Sequence, residues 1–151
     1  MRRTAIVAAV RTPVGRIRGA LSGVPAHELG ALAVKTAVER AGIGGEMIDE
    51  GVYGNLYAHD IANMARYVTL AAGLPITTPA ATVDRLCGTS LTAISWADAL
   101  IRAGDAECIL AGGTESDSNR PYVLMQQKRL HDMPAPEFRG KSRLAPEEVG
   151  N

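Results

Sequence analysis

One cysteine, Cys87, stands where a predicted strand turns into a predicted helix that begins near Gly88. A thiol at a helix N-terminus faces backbone N–H groups without partners and the positive end of the helix dipole. Both features favour the thiolate, which is the nucleophilic form. Gly88 would let the backbone come close to a substrate. The stretch therefore predicts a covalent nucleophile on a strand–turn–helix elbow, with a small buried hydrophobic side chain as the alternative interpretation of Cys87.

Composition narrows the class of protein. The chain has 151 residues, about one ordinary domain, and a hydrophobic fraction of 46%. The formal net charge is zero, so we expect no nucleic-acid partner. Its two cysteines make no disulfide framework and no Cys/His spacing resembles a zinc site, so we expect no metal and a reducing, cytoplasmic setting. No apolar run approaches the roughly 18 residues that would span a membrane.

Apolar runs and turn residues alternate along the chain. Strands are predicted at residues 5–10, 51–56, 78–84 and 107–111, and helices at residues 26–41, 63–72 and 88–103. The order βαβαβαβ predicts an α/β fold with a mostly parallel sheet and right-handed crossovers. The third helix is apolar around most of its circumference, so we expect it to be buried on more than one side.

The character of the sequence changes after Gly113, so we predict a core over residues 1–113 and a loop subdomain or interface segment over 114–151. The second segment has no clear hydrophobic period. It could meet a phosphorylated ligand through its basic residues or be a solvated, irregular segment. The basic residues are Arg120, Lys128, Arg129, Arg139, Lys141 and Arg143.

Several stretches, in order and at characteristic spacing, carry a family resemblance. They are IVAAVRTP at residues 6–13, GNL at 54–56, NMAR at 63–66, AGLP at 72–75, TVDRLCG at 82–88, AGDA at 103–106 and AGGTES at 111–116. Together they resemble the N-terminal half of a thiolase, an acyl-CoA acetyltransferase.

The resemblance implies a fold and a reaction. Thiolases pack two similar halves into a five-layered α/β core, and this chain resembles the first half. Cys87 is then the nucleophile that takes the acyl group, so that 3-ketoacyl-CoA is made or cleaved through an acyl-cysteine. The elbow of Cys87 and Gly88 contributes an oxyanion hole through the Cys87 N–H. The resemblance implies no cofactor, and coenzyme A thioesters are the substrates.

Two departures from the family pattern bear on this interpretation. A typical thiolase elbow reads Cys-Gly-Ser-Gly-Leu, whereas residues 87–91 read CGTSL, so Ser90 adds a side chain where glycine permits close packing. The family's Gly-His-Pro histidine, which activates the nucleophile, and its Cys-x-Gly cysteine are missing from the sequence. A general base must lie within hydrogen-bond reach of the proton that it takes, and the sequence shows no obvious base for Cys87.

The remaining histidines and cysteine stand in other contexts. His27 is expected at a helix start in a surface or capping position, and His131 lies in the tail. His59 is expected in a loop that could approach the active site or a subunit contact. Cys108 is expected in the strand at 107–111, as a filler of the core.

The sequence is then either a truncated product or a small subunit. Of these we expect the subunit, with a separate, larger partner chain that carries the Gly-His-Pro and Cys-x-Gly half, in a heterotetramer of two small and two large chains. Family members also dimerise through the region that leads to the nucleophile. The resulting interface candidates are Arg66, Thr82, Val83, Asp84, Arg85 and Leu86. Two alternatives remain: a non-catalytic thiolase-like subunit for assembly or acyl-CoA binding, and a relative of the ketoacyl synthases.

Overall fold

The computed structural model describes residues 2–124 and 138–139. The helices are α1 (Ala26–Ala41), α2 (Met64–Ala71) and α3 (Thr89–Ala103). The strands are β1 (Glu50–Gly54), β2 (Ala80–Val83), β3 (Ile109–Gly113), β4 (Val123–Leu124) and β5 (Phe138–Arg139). Short 3-10 turns cover Gly45–Met47, Leu86–Gly88 and Asp117–Asn119. The chain divides into two compact units, Met1–Arg120 and Pro121–Asn151.

The first unit contains a parallel sheet of three strands in the order β2-β1-β3. Val52 of the central strand lies opposite Ala81 on one side and Ala111 on the other. Helix α2 lies between β1 and β2 along the chain, and α3 lies between β2 and β3. Parallel neighbours need such crossovers, so the structure confirms the predicted α/β class.

Turn residues set the helix ends, which is why the helices were predictable. Gly42 ends α1 with φ of 66°, and Gly104 ends α3 with φ of 91°, a left-handed conformation in which glycine costs least. Asn63 caps α2 by accepting a hydrogen bond from the Arg66 N–H through its side chain, at 3.1 Å.

The core lies where α2 packs against both α1 and the sheet. Its buried cluster comprises Ala26, Val34, Ile48, Tyr53, Met64, Ala65, Val68 and Leu74. Burial also raises the pKa of the Tyr53 hydroxyl. Partly buried side chains of the β3 region, Cys108 and Leu110, pack against this cluster. The β3 strand begins after Cys108 rather than at residue 107, two residues later than predicted.

The predicted first strand does not form. Residues 5–10 carry no strand assignment, and Ile6 is 79% exposed. A strand needs a neighbour that takes up its N–H and C=O groups, and the described residues offer this segment none. Three residues before this segment, Arg2 forms an ion pair of 3.6 Å with Glu107 at the turn before β3.

Helix α3 is buried on one side rather than on several. Ala93 and Ala97 are buried on the side that faces the sheet, whereas Leu91, Ile94 and Trp96 are exposed. The expectation of burial on more than one side is therefore wrong for the described part of the chain. The outer side of the helix carries Leu91 together with the partly exposed ion pair of Asp98 and Arg102.

Residues 114–120 belong to the first unit and return to the start of α1. The Thr114 hydroxyl donates to the Ala26 carbonyl at 2.6 Å, and the Asn119 amide donates to the Val24 carbonyl at 3.2 Å. In the second unit, β4 and β5 form an antiparallel pair in which Val123 lies opposite Arg139. The remaining basic residues of the predicted loop and His131 lie outside the described residues. They are Lys128, Arg129, Lys141 and Arg143.

Two features of the described residues bear on the function class. None of their helices has both the length and the apolar character that crossing a bilayer requires. No group of three or more His, Cys, Asp or Glu side chains in this part of the chain could hold a metal ion.

Candidate active site

The elbow begins where β2 ends at Val83. Leu86 then has φ of +50°, which side chains other than glycine rarely adopt. The Asp84 carboxylate accepts a hydrogen bond from the Leu86 N–H at 3.1 Å and so stabilises the turn. Cys87 follows inside the 3-10 turn with an exposed side chain, directly before α3.

A buried hydroxyl holds the elbow from the other side. Thr89 is only 2% exposed. Its Oγ1 accepts a hydrogen bond from the Arg85 N–H at 2.7 Å and donates to the Leu86 carbonyl at 2.6 Å. The backbone on both sides of Leu86 is therefore tied to the first residue of α3.

Two glycines let α3 sit directly on the carboxyl ends of the strands. A Cβ atom at Gly54 would collide with the Thr89 methyl group, and one at Gly113 would collide with the Ser90 hydroxyl. The first turn of α3 therefore rests against the ends of β1 and β3. This contact fixes where the helix starts, and with it the position of Cys87.

A polar clamp joins the same two strand ends. The Asn55 amide donates to the Thr114 carbonyl at 2.9 Å and to the Glu115 carboxylate at 3.2 Å. That carboxylate also accepts from the Leu56 N–H at 2.9 Å. In parallel α/β sheets, ligands bind at the carboxyl ends of the strands, so the clamp lies at the functional edge. The sequence predicted no role for Asn55 or Glu115, although Asn55 directly follows β1 and Glu115 lies two residues after the end of β3.

A cavity of about 320 Å³ opens beside this clamp. Glu115, Tyr57 and His27 are among its lining residues, and Cys87 is not. His27 is half-buried, with its ring edge-on to Tyr67 at 5.1 Å between centroids. His59 lies exposed in the loop after β1. Neither histidine forms a hydrogen bond with the Cys87 thiol.

The second cysteine has different surroundings. Cys108 is partly buried against the core, and burial, with a smaller effect of the nearby Asp49 carboxylate, raises the pKa of its thiol. Asp49 accepts hydrogen bonds from the N–H groups of Glu107 and Cys108, at 2.7 Å and 2.9 Å. Cys108 thus packs against the core as expected, but it lies one residue before β3 and not within the strand.

Comparison with known proteins decides the family. Residues 4–145 match the family model described as the thiolase N-terminal domain. The chain belongs to the thiolase family.

Several curated thiolases are similar to this chain. Over 127 residues it is 45% identical to a beta-ketoadipyl-CoA thiolase of Acinetobacter baylyi, covering 82% of this chain and 32% of that protein. Over 120 residues it is 46% identical to an acetyl-CoA acetyltransferase of Cupriavidus necator, covering 79% and 30%. Another acetyl-CoA acetyltransferase, from Syntrophomonas wolfei, is 39% identical over 137 residues, covering 90% and 35%. The chain spans about a third of the length of these relatives.

The departure of this thiolase elbow at Ser90 has a local explanation. Its hydroxyl occupies the space that a side chain at position 113 would need, and residue 113 is glycine. Close packing between the helix and the strand is therefore kept, with the side chain on the helix. The doubt that Ser90 raised about the elbow geometry does not apply to this packing.

The interface candidates cluster around the outer strand β2. The Arg66 guanidinium donates to the carbonyls of Thr78 and Ile76 at 2.5 Å and 2.6 Å, so it fixes the loop that enters this strand. The Thr82 hydroxyl accepts from the Ala65 N–H at 2.9 Å and donates to the Asn63 side chain. One edge of β2 pairs with β1, and its other edge pairs with no described strand. A subunit contact through Arg66 and residues 82–86 stays a prediction.

Proposed function

We propose that this chain provides the acyl-accepting cysteine, Cys87, of a thiolase that acts on coenzyme A thioesters. The observation that carries the proposal is an exposed thiol on a strand–helix elbow. The backbone of this elbow is fixed by a hydrogen bond from the Leu86 N–H to Asp84 and by one from the Thr89 hydroxyl to the Leu86 carbonyl. The relatives named acetyl-CoA acetyltransferase and beta-ketoadipyl-CoA thiolase favour acyl-CoA as the substrate class.

The reaction has two balanced steps. The Cys87 thiolate attacks the thioester carbonyl carbon, a carbon–sulfur bond forms, and negative charge develops on the carbonyl oxygen. The bond to coenzyme A then breaks, and coenzyme A leaves as its thiol by taking the proton that Cys87 lost when its thiolate formed. In the second step acetyl-CoA loses an α-proton to a base, and its enolate carbon attacks the acyl-cysteine carbonyl. The carbon–sulfur bond to Cys87 breaks, 3-ketoacyl-CoA is released, and the Cys87 thiol takes up the proton. The reverse sequence cleaves 3-ketoacyl-CoA.

The described residues do not complete this chemistry. Among them, no acidic or basic side chain is hydrogen-bonded to the Cys87 thiol, although the reaction needs a base within reach. We propose that a second half with Gly-His-Pro and Cys-x-Gly motifs supplies it from a separate, larger chain, in a heterotetramer. The exposed apolar side of α3 is a surface on which that half could pack. Because both cysteines are free, we place the enzyme in a reducing, cytoplasmic setting.

Trapping of the acyl-enzyme tests the proposal. The chain, co-produced with the second half, is incubated with acetyl-CoA and digested, and the acetylated cysteine is located by mass spectrometry. We expect the acetyl group on Cys87. Cys87→Ser should abolish acyl transfer and leave assembly intact, because a hydroxyl is a far weaker nucleophile of similar size.

Cys108→Ser is the matched control and should retain acyl transfer. Turnover that survives in the Cys87→Ser chain would overturn the assignment of the nucleophile. Acyl-CoA binding by the assembled wild-type protein without acylation of Cys87 would instead indicate the non-catalytic, thiolase-like subunit.

A further inference from the structure

We infer that Thr89 is a positioning residue that aims the backbone N–H of Cys87 at the reacting carbonyl oxygen. The inference rests on the proposed acylation of Cys87 and assigns a task to a buried side chain next to it. The Thr89 side chain is 2% exposed, and its hydroxyl is hydrogen-bonded to the backbone of Arg85 and Leu86. It acts through the backbone of the elbow.

The peptide group between Leu86 and Cys87 carries both the carbonyl that Thr89 binds and the N–H of the nucleophile. The Leu86 carbonyl and the Cys87 N–H belong to the same planar group and point in nearly opposite directions. The Thr89 hydroxyl donates to that carbonyl oxygen at 2.6 Å. Fixing the direction of the carbonyl therefore fixes the direction of the N–H.

The hydroxyl itself is also fixed in direction. The Thr89 methyl group occupies the space beside Gly54, which fixes the rotation of the side chain. The hydroxyl then accepts from the Arg85 N–H at 2.7 Å, so its single proton is left for the Leu86 carbonyl. Burial keeps water from competing for either bond.

These bonds maintain a strained conformation. Leu86 has a positive φ, which is unfavourable for a residue with a Cβ and persists only where the surroundings enforce it. Asp84 binds the N–H of Leu86, and Thr89 binds its carbonyl. The Thr89 backbone N–H donates to the same carbonyl, so the hydroxyl is the second of two bonds that hold it. Without the hydroxyl, the Leu86–Cys87 peptide is held less firmly and can turn away from its strained conformation, and the Cys87 N–H turns with it.

The consequence is specific to acyl transfer. Acylation passes through a tetrahedral species whose oxyanion needs an aimed donor, and removal of one such donor costs about 10²–10³-fold in rate. Alkylation of the same sulfur by iodoacetamide is a displacement at saturated carbon and places no comparable oxyanion there. Loss of the hydroxyl should therefore slow acylation selectively.

The test compares three variants in the assembled enzyme. Thr89→Val removes the hydroxyl at nearly constant shape, and Thr89→Ser keeps it. Thr69→Val is the matched control, because Thr69 is also fully buried and its hydroxyl bonds only the α2 carbonyls of Ala65 and Arg66. Single-turnover acylation by acetyl-CoA, the rate of iodoacetamide alkylation, kcat and KM are measured for each.

For Thr89→Val we expect acylation and kcat to fall roughly 10- to 100-fold, somewhat less than the loss of a whole donor. KM and the alkylation rate should stay within about twofold, because neither depends on the Cys87 N–H as a donor to the oxyanion. Thr89→Ser and Thr69→Val should acylate at the wild-type rate to within about threefold, a margin set by the small size of the lost packing.

Two results would overturn the inference while the proposed function stands: wild-type acylation in Thr89→Val, or a parallel fall of acylation and alkylation. Should Thr89→Val fail to fold, Thr89→Ser decides, because a tenfold loss there would assign the effect to the methyl group. Absence of acylation at wild-type Cys87 would overturn the proposed function and this inference together.

Discussion

At the scale of single residues, the two cysteines show how surroundings divide one chemistry between a reactive and a structural role. Cys87 is exposed on its elbow, whereas Cys108 is partly buried and the pKa of its thiol is raised. Only a thiolate attacks at an appreciable rate, and burial suppresses its formation. The surroundings of each thiol therefore make Cys87 the reactive cysteine and Cys108 the structural one.

Selective alkylation checks this contrast. We expect iodoacetamide at neutral pH to modify Cys87 in the assembled enzyme and to leave Cys108 unmodified, as read from digested peptides by mass spectrometry. In the Cys87→Ser chain, rapid labelling should disappear. Equal labelling of the two cysteines in the folded complex would contradict the assignment.

A carboxylate of the sheet offers a pH test. Hydrogen bonds from the N–H groups of Cys108 and then Glu107 hold the pKa of Asp49 below its ordinary value. Because the folded-state pKa is depressed, the stabilisation is present above the unfolded pKa of about 4 and is lost as pH falls through the folded value. Asp49→Asn should lower the melting temperature at pH 7 by at most about 2–4 °C, since solvent screens this exposed group.

The difference between Asp49→Asn and wild type should shrink as the pH falls below about 4. Thermal denaturation of the two proteins from pH 7 to pH 3 measures it. A difference that grows toward acid pH would show that the carboxylate does not stabilise the start of β3 in this way.

At the scale of elements, helices were predictable because their signals are local. The bounds of α1 were predicted as observed, since its apolar spacing ends at Gly42, a residue suited to the left-handed stop. The segment at 5–10 has an equally clear apolar pattern but forms no strand. A strand depends on a neighbour elsewhere in the chain, and a run of residues does not reveal whether that neighbour is present.

The site shows the same difference between features that local sequence predicts and features that depend on distant residues. The position of Cys87 on an elbow followed from the order of strand, cysteine and glycine. The positive φ of Leu86 and the direction of the Thr89 hydroxyl did not, because they depend on packing against Gly54, which is distant in sequence. No local pattern reports a contact of that kind.

The contact between α3 and β1 gives an element-scale prediction. Gly54→Ala places a methyl group against the stiff, buried Thr89 side chain, so the helix must shift. We expect a loss of about 1–3 kcal/mol in the free energy of unfolding and slower acylation of Cys87. Denaturant unfolding of the assembled enzyme and single-turnover acylation measure the two effects.

Gly23→Ala is the control for Gly54→Ala, because nothing lies within 4 Å of a Cβ built at Gly23. It should change stability by less than about 0.5 kcal/mol. Equal effects of the two substitutions would mean that the first turn of α3 does not depend on close packing against the end of β1.

At the scale of the whole molecule, the outer side of α3 is a surface that no described element covers. Leu91 is 68% exposed, and Ile94 and Trp96 are exposed elsewhere on the same helix. Large apolar side chains that are exposed together mark a partner surface or an aggregation liability. Cys87 stands four residues before Leu91 in the sequence, so a half that covers the start of α3 could also bring a base to the thiol.

The second half should therefore restore the stability and the activity of this chain together. We expect the chain alone to be aggregated or poorly stable and inactive in acetoacetyl-CoA thiolysis, and co-production with the Gly-His-Pro half to restore both.

Leu91→Glu should make the isolated chain more soluble and prevent the second half from restoring activity, because a charge then faces the partner. Leu32→Glu is the control, since Leu32 is 60% exposed on α1 and should leave the assembled activity unchanged. Size-exclusion chromatography and the thiolysis assay, with and without the second half, measure these outcomes. A monodisperse, fully active monomer would refute the divided enzyme, and normal assembly of Leu91→Glu would remove α3 from the contact.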